Sequence, residues 1–101
     1  MSRIGIVVEF TPKPDCHAAF DTLIREHARA TLAEEPGCQR FDVLQPIGTD
    51  GKSDTGKIML VEVYENMAAF DAHRANPRLP RVAAAYAPLL DGRKLTICAM
   101  D

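Results

Sequence analysis

Hydrophobic and polar positions alternate from the start of the chain. Ile4, Ile6, Val8 and Phe10 fall on one side of an extended segment from Arg3 to Thr11, whose β-branched content predicts a strand closed by Pro12 and Pro14. From Pro14-Asp15 to Glu35 the period lengthens to that of a helix. Cys16, Ala19, Phe20, Leu23, His27, Ala30 and Thr31 share one side, and Asp21, Arg25, Glu26 and Arg29 lie away from it. Pro36-Gly37 ends this helix, and Cys38 to Pro46 reads as a second strand with Phe41 and Val43 alternating against Arg40 and Asp42. The turn formers from Gly48 to Gly56 predict a long exposed loop. Lys57 to Glu65 is a nearly continuous apolar strand interrupted by Glu62, which implies that both its faces are covered. Asn66 caps a helix running to Asn76-Pro77, and Pro80 restarts a short one with Val82, Ala83, Tyr86 and Leu89 on one face. Asp91-Gly92 then turns the chain into a last strand, Arg93 to Met100.

The order βαββαβ predicts an α+β fold of the ferredoxin-like type, with helices on one face of an antiparallel sheet. Apolar residues on both sides of the first and third strands leave the other face to be buried by something outside the chain. A homodimer packed sheet to sheet would do so. At 101 residues, 47% hydrophobic and 26% charged, residues 1–101 read as one globular domain. A formal charge of -2 lacks the basic excess that nucleic acid requires, and no run spans a bilayer or forms a signal sequence, so the expected compartment is the cytoplasm, away from membranes. Cys16, Cys38 and Cys98 match neither a disulfide framework nor a zinc pattern, and read as reduced, mostly buried thiols.

Chemistry concentrates where polar residues interrupt apolar rows. His27 lies on the apolar arc of the first helix, either as a neutral core imidazole or as a pocket residue. His73 follows Phe70 by three residues just before a proline break, where a cavity wall and a helix C-terminal charge are both open readings. His17, beside the polar side of its helix, is expected to be solvated. Glu62 and Tyr64 share one face of the apolar strand. A carboxylate there needs a partner, with Arg40 of the neighbouring strand the structural choice, or else takes a raised pKa suited to proton transfer. Tyr64 offers a ring and a hydroxyl to a flat ligand, although a core position is the commoner outcome for such a tyrosine. Arg74, Arg78 and Arg81 near the break would form an anion site at a pocket mouth or a solvated surface.

The stretches Glu35-Pro36-Gly37-Cys38-Gln39-Arg40-Phe41-Asp42-Val43 and Glu62-Val63-Tyr64-Glu65-Asn66-Met67-Ala68-Ala69-Phe70-Asp71-Ala72-His73, in this order of elements, resemble the antibiotic biosynthesis monooxygenase family across nearly the whole chain. The chain is similar to its quinol monooxygenases and to the enzyme that processes phosphorylated autoinducer-2. The resemblance implies a dimeric α+β barrel with a cavity in each protomer between sheet and helices. It places His73 on the family's helix histidine and Tyr64 on a cavity-wall position often held by Trp or Tyr. Haem-degrading relatives carry an Asn on the first strand and a Trp on the third, both missing here, and many relatives have a second His where this chain has Arg78. The implied activity is a monooxygenase without cofactor or metal, acting on a small electron-rich aromatic, quinol or polyketide-like, with O2. His73 would be the base, assisted by Glu62 or His27, Tyr64 and Phe70 would hold the ring, and Phe41, Arg40 and Arg74 complete the substrate-binding set. The competing readings are an isomerase of a phosphorylated or carbonyl metabolite and a non-catalytic dimeric binder of a hydrophobic one.

Overall fold

A computed structural model describes residues 2–100. Strands β1 (Arg3–Pro12), β2 (Cys38–Leu44), β3 (Ile58–Tyr64) and β4 (Leu90–Met100) form one antiparallel sheet in the order β2-β3-β1-β4. Helices α1 (His17–Glu34), α2 (Met67–Arg74) and α3 (Arg78–Tyr86) connect them, and a 3₁₀ turn, Ala87–Leu89, leads into β4. This is the expected ferredoxin-like α+β arrangement, with β1 and β3 central because their residues are the most continuously apolar.

The inner face of the sheet is written by alternation. Ile4, Ile6, Val8 and Phe10 of β1 and Ile58, Leu60 and Tyr64 of β3 meet Phe20 and Ile24 of α1 and Phe70 of α2 in one core. At roughly 1.5–3 kcal/mol for each large side chain removed from water, this cluster is the main source of stability. On α1 the buried positions are Phe20, Ile24, His27, Ala28, Ala30 and Thr31, so the face is rotated from the expected arc and Ala19 is exposed. The helix begins at His17 because Asp15 takes a left-handed φ of 68°, which a helix cannot continue through.

Two other boundaries and the setting of His17 differ from expectation. Arg78 and not Pro80 opens α3, Pro80 standing in its first turn where the missing N–H costs nothing. Asp91 and Gly92 are strand residues, paired into the long β4 opposite the end of β1. His17 is half-buried, its Nε2 2.6 Å from Gln45 Oε1, because the segment after β2 folds back beside the start of α1. The three cysteines are free, with Cys38 buried and Cys16 and Cys98 half-buried. Among the described residues, no helix is long and apolar enough to cross a membrane.

Candidate active site: a histidine between two carboxyls

Between the sheet and the helices lies a cavity of about 100 Å³, lined by apolar side chains together with His27, Glu62, His73, Arg74 and Arg93. Its floor is set by α2. Asn66 starts that helix by accepting a hydrogen bond from the Ala69 N–H at 2.9 Å, which satisfies a donor that the first turn leaves free. One turn later Phe70 enters the core, and three residues on His73 is buried on the same side.

Gly37 explains why Glu35 reaches this histidine. A Cβ at Gly37 would lie 2.5 Å from the Cβ of Ala69, so only glycine lets the turn after α1 close against α2. The Glu65 N–H donates to the Gly37 carbonyl at 3.0 Å and fixes the approach. Glu35, two residues earlier, then places its carboxylate oxygens 2.9 and 3.1 Å from His73 Nδ1. A carboxylate only accepts, so Nδ1 carries the proton and Nε2 presents its lone pair. Nε2 lies 3.9 Å from Glu62 Oε1, too far for a direct hydrogen bond and close enough for one atom to bridge.

Glu62 owes its state to burial. Loss of water lifts its carboxyl from the ordinary range to about 7, against the lowering effect of the Tyr64 hydroxyl, which donates to Oε1 at 2.6 Å, and of the Arg93 charge. Burial also holds the His73 imidazolium below the usual 6.5, with Glu35 pulling the other way. His27 is brought alongside, its ring centroid 5.5 Å from His73 and 5.4 Å from Phe41. Burial and the neighbouring His73 press its pKa down to about 4, so it stays neutral, and its Nδ1 has no hydrogen-bond partner among the described residues. Of the two rings, His73 is the one with a carboxylate beside it to favour its charged form, and His27 forms a neutral wall.

Arg78 does not form part of an anion site. Its Nη2 donates to Glu35 Oε2 at 2.8 Å and to Thr31 Oγ1 at 2.9 Å, while Thr31 Oγ1 donates to the His27 carbonyl at 2.8 Å. It ties α3 to the end of α1 and holds the carboxylate that orients His73. Arg81 borders a separate groove between α1 and α3. Arg74 lines the cavity, its guanidinium carbon 4.6 Å above the Phe70 ring.

Two expected wall residues stand elsewhere. Tyr64 is fully buried, its ring centroid 5.3 Å from both Phe70 and His73 and its hydroxyl committed to Glu62, so it supports the site from behind. Phe41 likewise packs behind the two histidines, 6.3 Å from His73. Arg40 is a correction. A bulge between Cys38 and Arg40 shifts the register so that Arg40 lies opposite Val63 on the outer face, where it pairs with Asp42 and cannot reach Glu62. Sequence reasoning missed Glu35 as a site residue and Arg93 altogether.

The fold and site define a class: a ferredoxin-like α+β protein with a carboxylate-oriented histidine facing an apolar cavity. Residues 3–85 match the antibiotic biosynthesis monooxygenase family, and the chain belongs to it. It is 29% identical over 89 residues to the Mycobacterium tuberculosis protein named "Putative monooxygenase Rv0793", covering 88% of this chain and 81% of that one. The solved structure of that relative superposes with a TM-score of 0.81 over 97% of this chain and 94% of its own, at 28% identity. A Caulobacter crescentus protein of the same description has a TM-score of 0.87 at 23% identity, covering 99% and 91% of the two chains. SnoaB of Streptomyces nogalater, described as a cofactor-independent oxygenase, has a TM-score of 0.81 at 21% identity, covering 97% and 92%. The last two likenesses speak for the fold.

Proposed function

We propose that this protein is a monooxygenase that oxidises a small, single-ring quinol with O2, the substrate itself supplying the electrons. The observation that carries the reading is His73, with Nδ1 held by Glu35 and Nε2 turned to an apolar cavity beside Glu62. An engineered apolar cavity of about 150 Å³ accommodates benzene. The 100 Å³ here is smaller still, so it admits at most one ring and disfavours a polycyclic polyketide.

In this reading, His73 Nε2 takes a phenolic proton and the Glu35 carboxylate stabilises the imidazolium. The phenolate passes one electron to O2, and the resulting semiquinone and superoxide join in a carbon–oxygen bond. The peroxide's O–O bond then breaks as the ring carbon loses its proton. One oxygen leaves as water, and the other stays as a carbonyl. For hydroquinone the balance is one quinol and one O2 to one hydroxybenzoquinone and one water. Glu62, with a pKa of about 7, is half-protonated near neutrality and suits the role of acid to the departing oxygen. The described oxygenase activity of SnoaB is consistent with this chemistry on this fold.

Oxygen uptake with a panel of hydroquinones, corrected for spontaneous oxidation, tests the proposal. The expected result is enzyme-dependent uptake with one atom of ¹⁸O in the product and a loss of roughly 10²–10⁴-fold in His73→Ala. Uptake absent across the panel would turn the reading to the isomerase or the binder. We also propose that a second copy covers the outer sheet face, where Val7, Met59 and Val61 are half-buried with no helix above them. Light scattering should give a dimer, and Val61→Lys a monomer.

A further inference from the structure

Two cations stand where the cavity meets solvent. Of the residues lining it, Glu62, His73, His27, Phe10 and Phe70 are buried, whereas Arg74 and Arg93 are exposed, so the guanidinium side chains form the rim. Arg93 reaches the rim because β4 pairs with β1 in a register that sets Arg93 opposite Phe10, on the inner face, in line with Leu95 and Ile97. A charge in that inner row is out of keeping with its neighbours. It makes no side-chain hydrogen bond or ion pair among the described residues. Arg74 is held over the Phe70 ring and pairs with Asp71 on its own helix.

From this placement we propose that the mouth is an anion subsite, and that the substrate is a single-ring quinol bearing a carboxylate, gripped by Arg93 and Arg74 while its hydroxyl points to His73. The inference rests on the reading of the preceding subsection and narrows its substrate. Asp71 offsets Arg74 and the Glu62 carboxyl inside the cavity feels the Arg93 charge, so the mouth carries at most one positive unit, which matches a carboxylate better than a dianionic phosphate. Guanidinium forks bind planar carboxylates in a fixed orientation, which would turn the opposite edge of the ring inward. Inward charge on an edge strand also serves to block strand pairing, but that role predicts no preference among ligands.

Calorimetric titration without oxygen, so that turnover does not intrude, tests it with four compounds: 2,5-dihydroxybenzoate, its neutral amide, hydroquinone, and hydroquinone monophosphate. The parent protein should bind the acid about tenfold more tightly than the amide, as a charge-assisted contact at an exposed rim allows. That advantage should shrink between 20 and 500 mM salt and fall below about twofold in Arg93→Gln, with the amide's affinity unchanged. Both arginines are exposed, and a matching melting temperature would show that the variants fold.

Equal affinity for acid and amide in the parent, or an advantage that survives the Arg93→Gln/Arg74→Gln double variant, would overturn the subsite. A phosphate ester that binds more tightly than the acid would overturn the carboxylate assignment. Acid-selective binding without oxygen uptake would uphold the subsite and refute the monooxygenase. Equal binding with uptake would do the reverse, and no binding by any of the four would refute both.

Discussion

The floor of the cavity and its rim are built by opposite rules. On the floor, Arg78, Glu35 and His73 are hydrogen-bonded across elements far apart in sequence, and Glu62, held by Tyr64 of its own strand, faces His73 across 3.9 Å. On the rim, among the described residues, Arg93 has no ion partner, Arg74 pairs only along its own helix, and α3 contributes no fully buried residue. Groups in low dielectric hold fixed positions and shifted pKa values, while exposed charges stay mobile and screened. On the proposed reading, proton chemistry belongs to the floor and selection of the ligand to the rim.

The strongest way to break that division is to cut the floor at Glu35. In Glu35→Gln the new amide can donate to His73 Nδ1, which forces the proton to Nε2 and removes the lone pair from the cavity. The expected loss in kcat is at least about 10²-fold with little change in KM, since Glu35 does not line the cavity. Arg78 loses its carboxylate as well, so a drop in stability accompanies the effect. Steady-state kinetics across pH separates the two causes, because a tautomer fault persists at every pH while the fold is intact. A variant with parental kcat would show that His73 needs no orienting partner.

Next in size is Glu62→Gln, read as stability against pH. The folded protein binds the Glu62 proton with a pKa of about 7 against an ordinary 4.5. Ionising that carboxyl therefore costs stability that grows as pH rises from 4.5 to 7, up to about 3 kcal/mol. Glutamine can still accept from Tyr64 without the charge, so urea denaturation at pH 8 should show a gain approaching that size, fading to nothing near pH 4.5. Histidines buried neutral act in the opposite sense. His27, at about 4 against 6.5, destabilises the fold as pH falls from 6.5 to 4, with His73 acting in the same direction, and in the variant the histidine slope remains without that of Glu62. A gain that is equal at pH 8 and pH 5 would mean that Glu62 is ionised throughout.

How far the floor and the rim were legible in the sequence follows from the same physics. His27, Glu62 and His73 stood out because each is a polar residue in an apolar row, and the row dictates where it points. Glu35 and Arg93 stand in polar surroundings, Glu34-Glu35 and Arg93-Lys94, where composition says nothing of which side chain turns inward. Their positions come from tertiary geometry: the contact of Gly37 with Ala69 for Glu35, and the β1–β4 register for Arg93. A signal existed in each case, since Glu35 directly precedes Pro36-Gly37, and Arg93 continues the alternation of Leu95 and Ile97 once β4 is extended back to Leu90. Arg40 was misplaced by a single-residue bulge that no periodicity announces. Strand order and helix faces were clearer because many residues report on each at once.

The smallest expected effect probes the boundary between the two regions. Helix α2 is fixed by the Asn66 cap and by buried Phe70 and His73, whereas α3 has only half-buried contacts and is held at its start by Arg78. Local opening should thus be easier in α3, and its amides should exchange with solvent faster than those of α2. Asn66→Ala removes one cap worth about 1 kcal/mol, which corresponds to roughly a fivefold faster exchange in α2. Exchange in α3 should change less, because Arg78 also anchors it to Thr31 of α1, although Glu35 ties Arg78 to His73 of α2 as well. If α2 and α3 already exchange alike in the parent, or if the substitution speeds both equally, the two helices open as one unit. The orienting of His73 by Glu35 would then be coupled to the opening of α3 through Arg78.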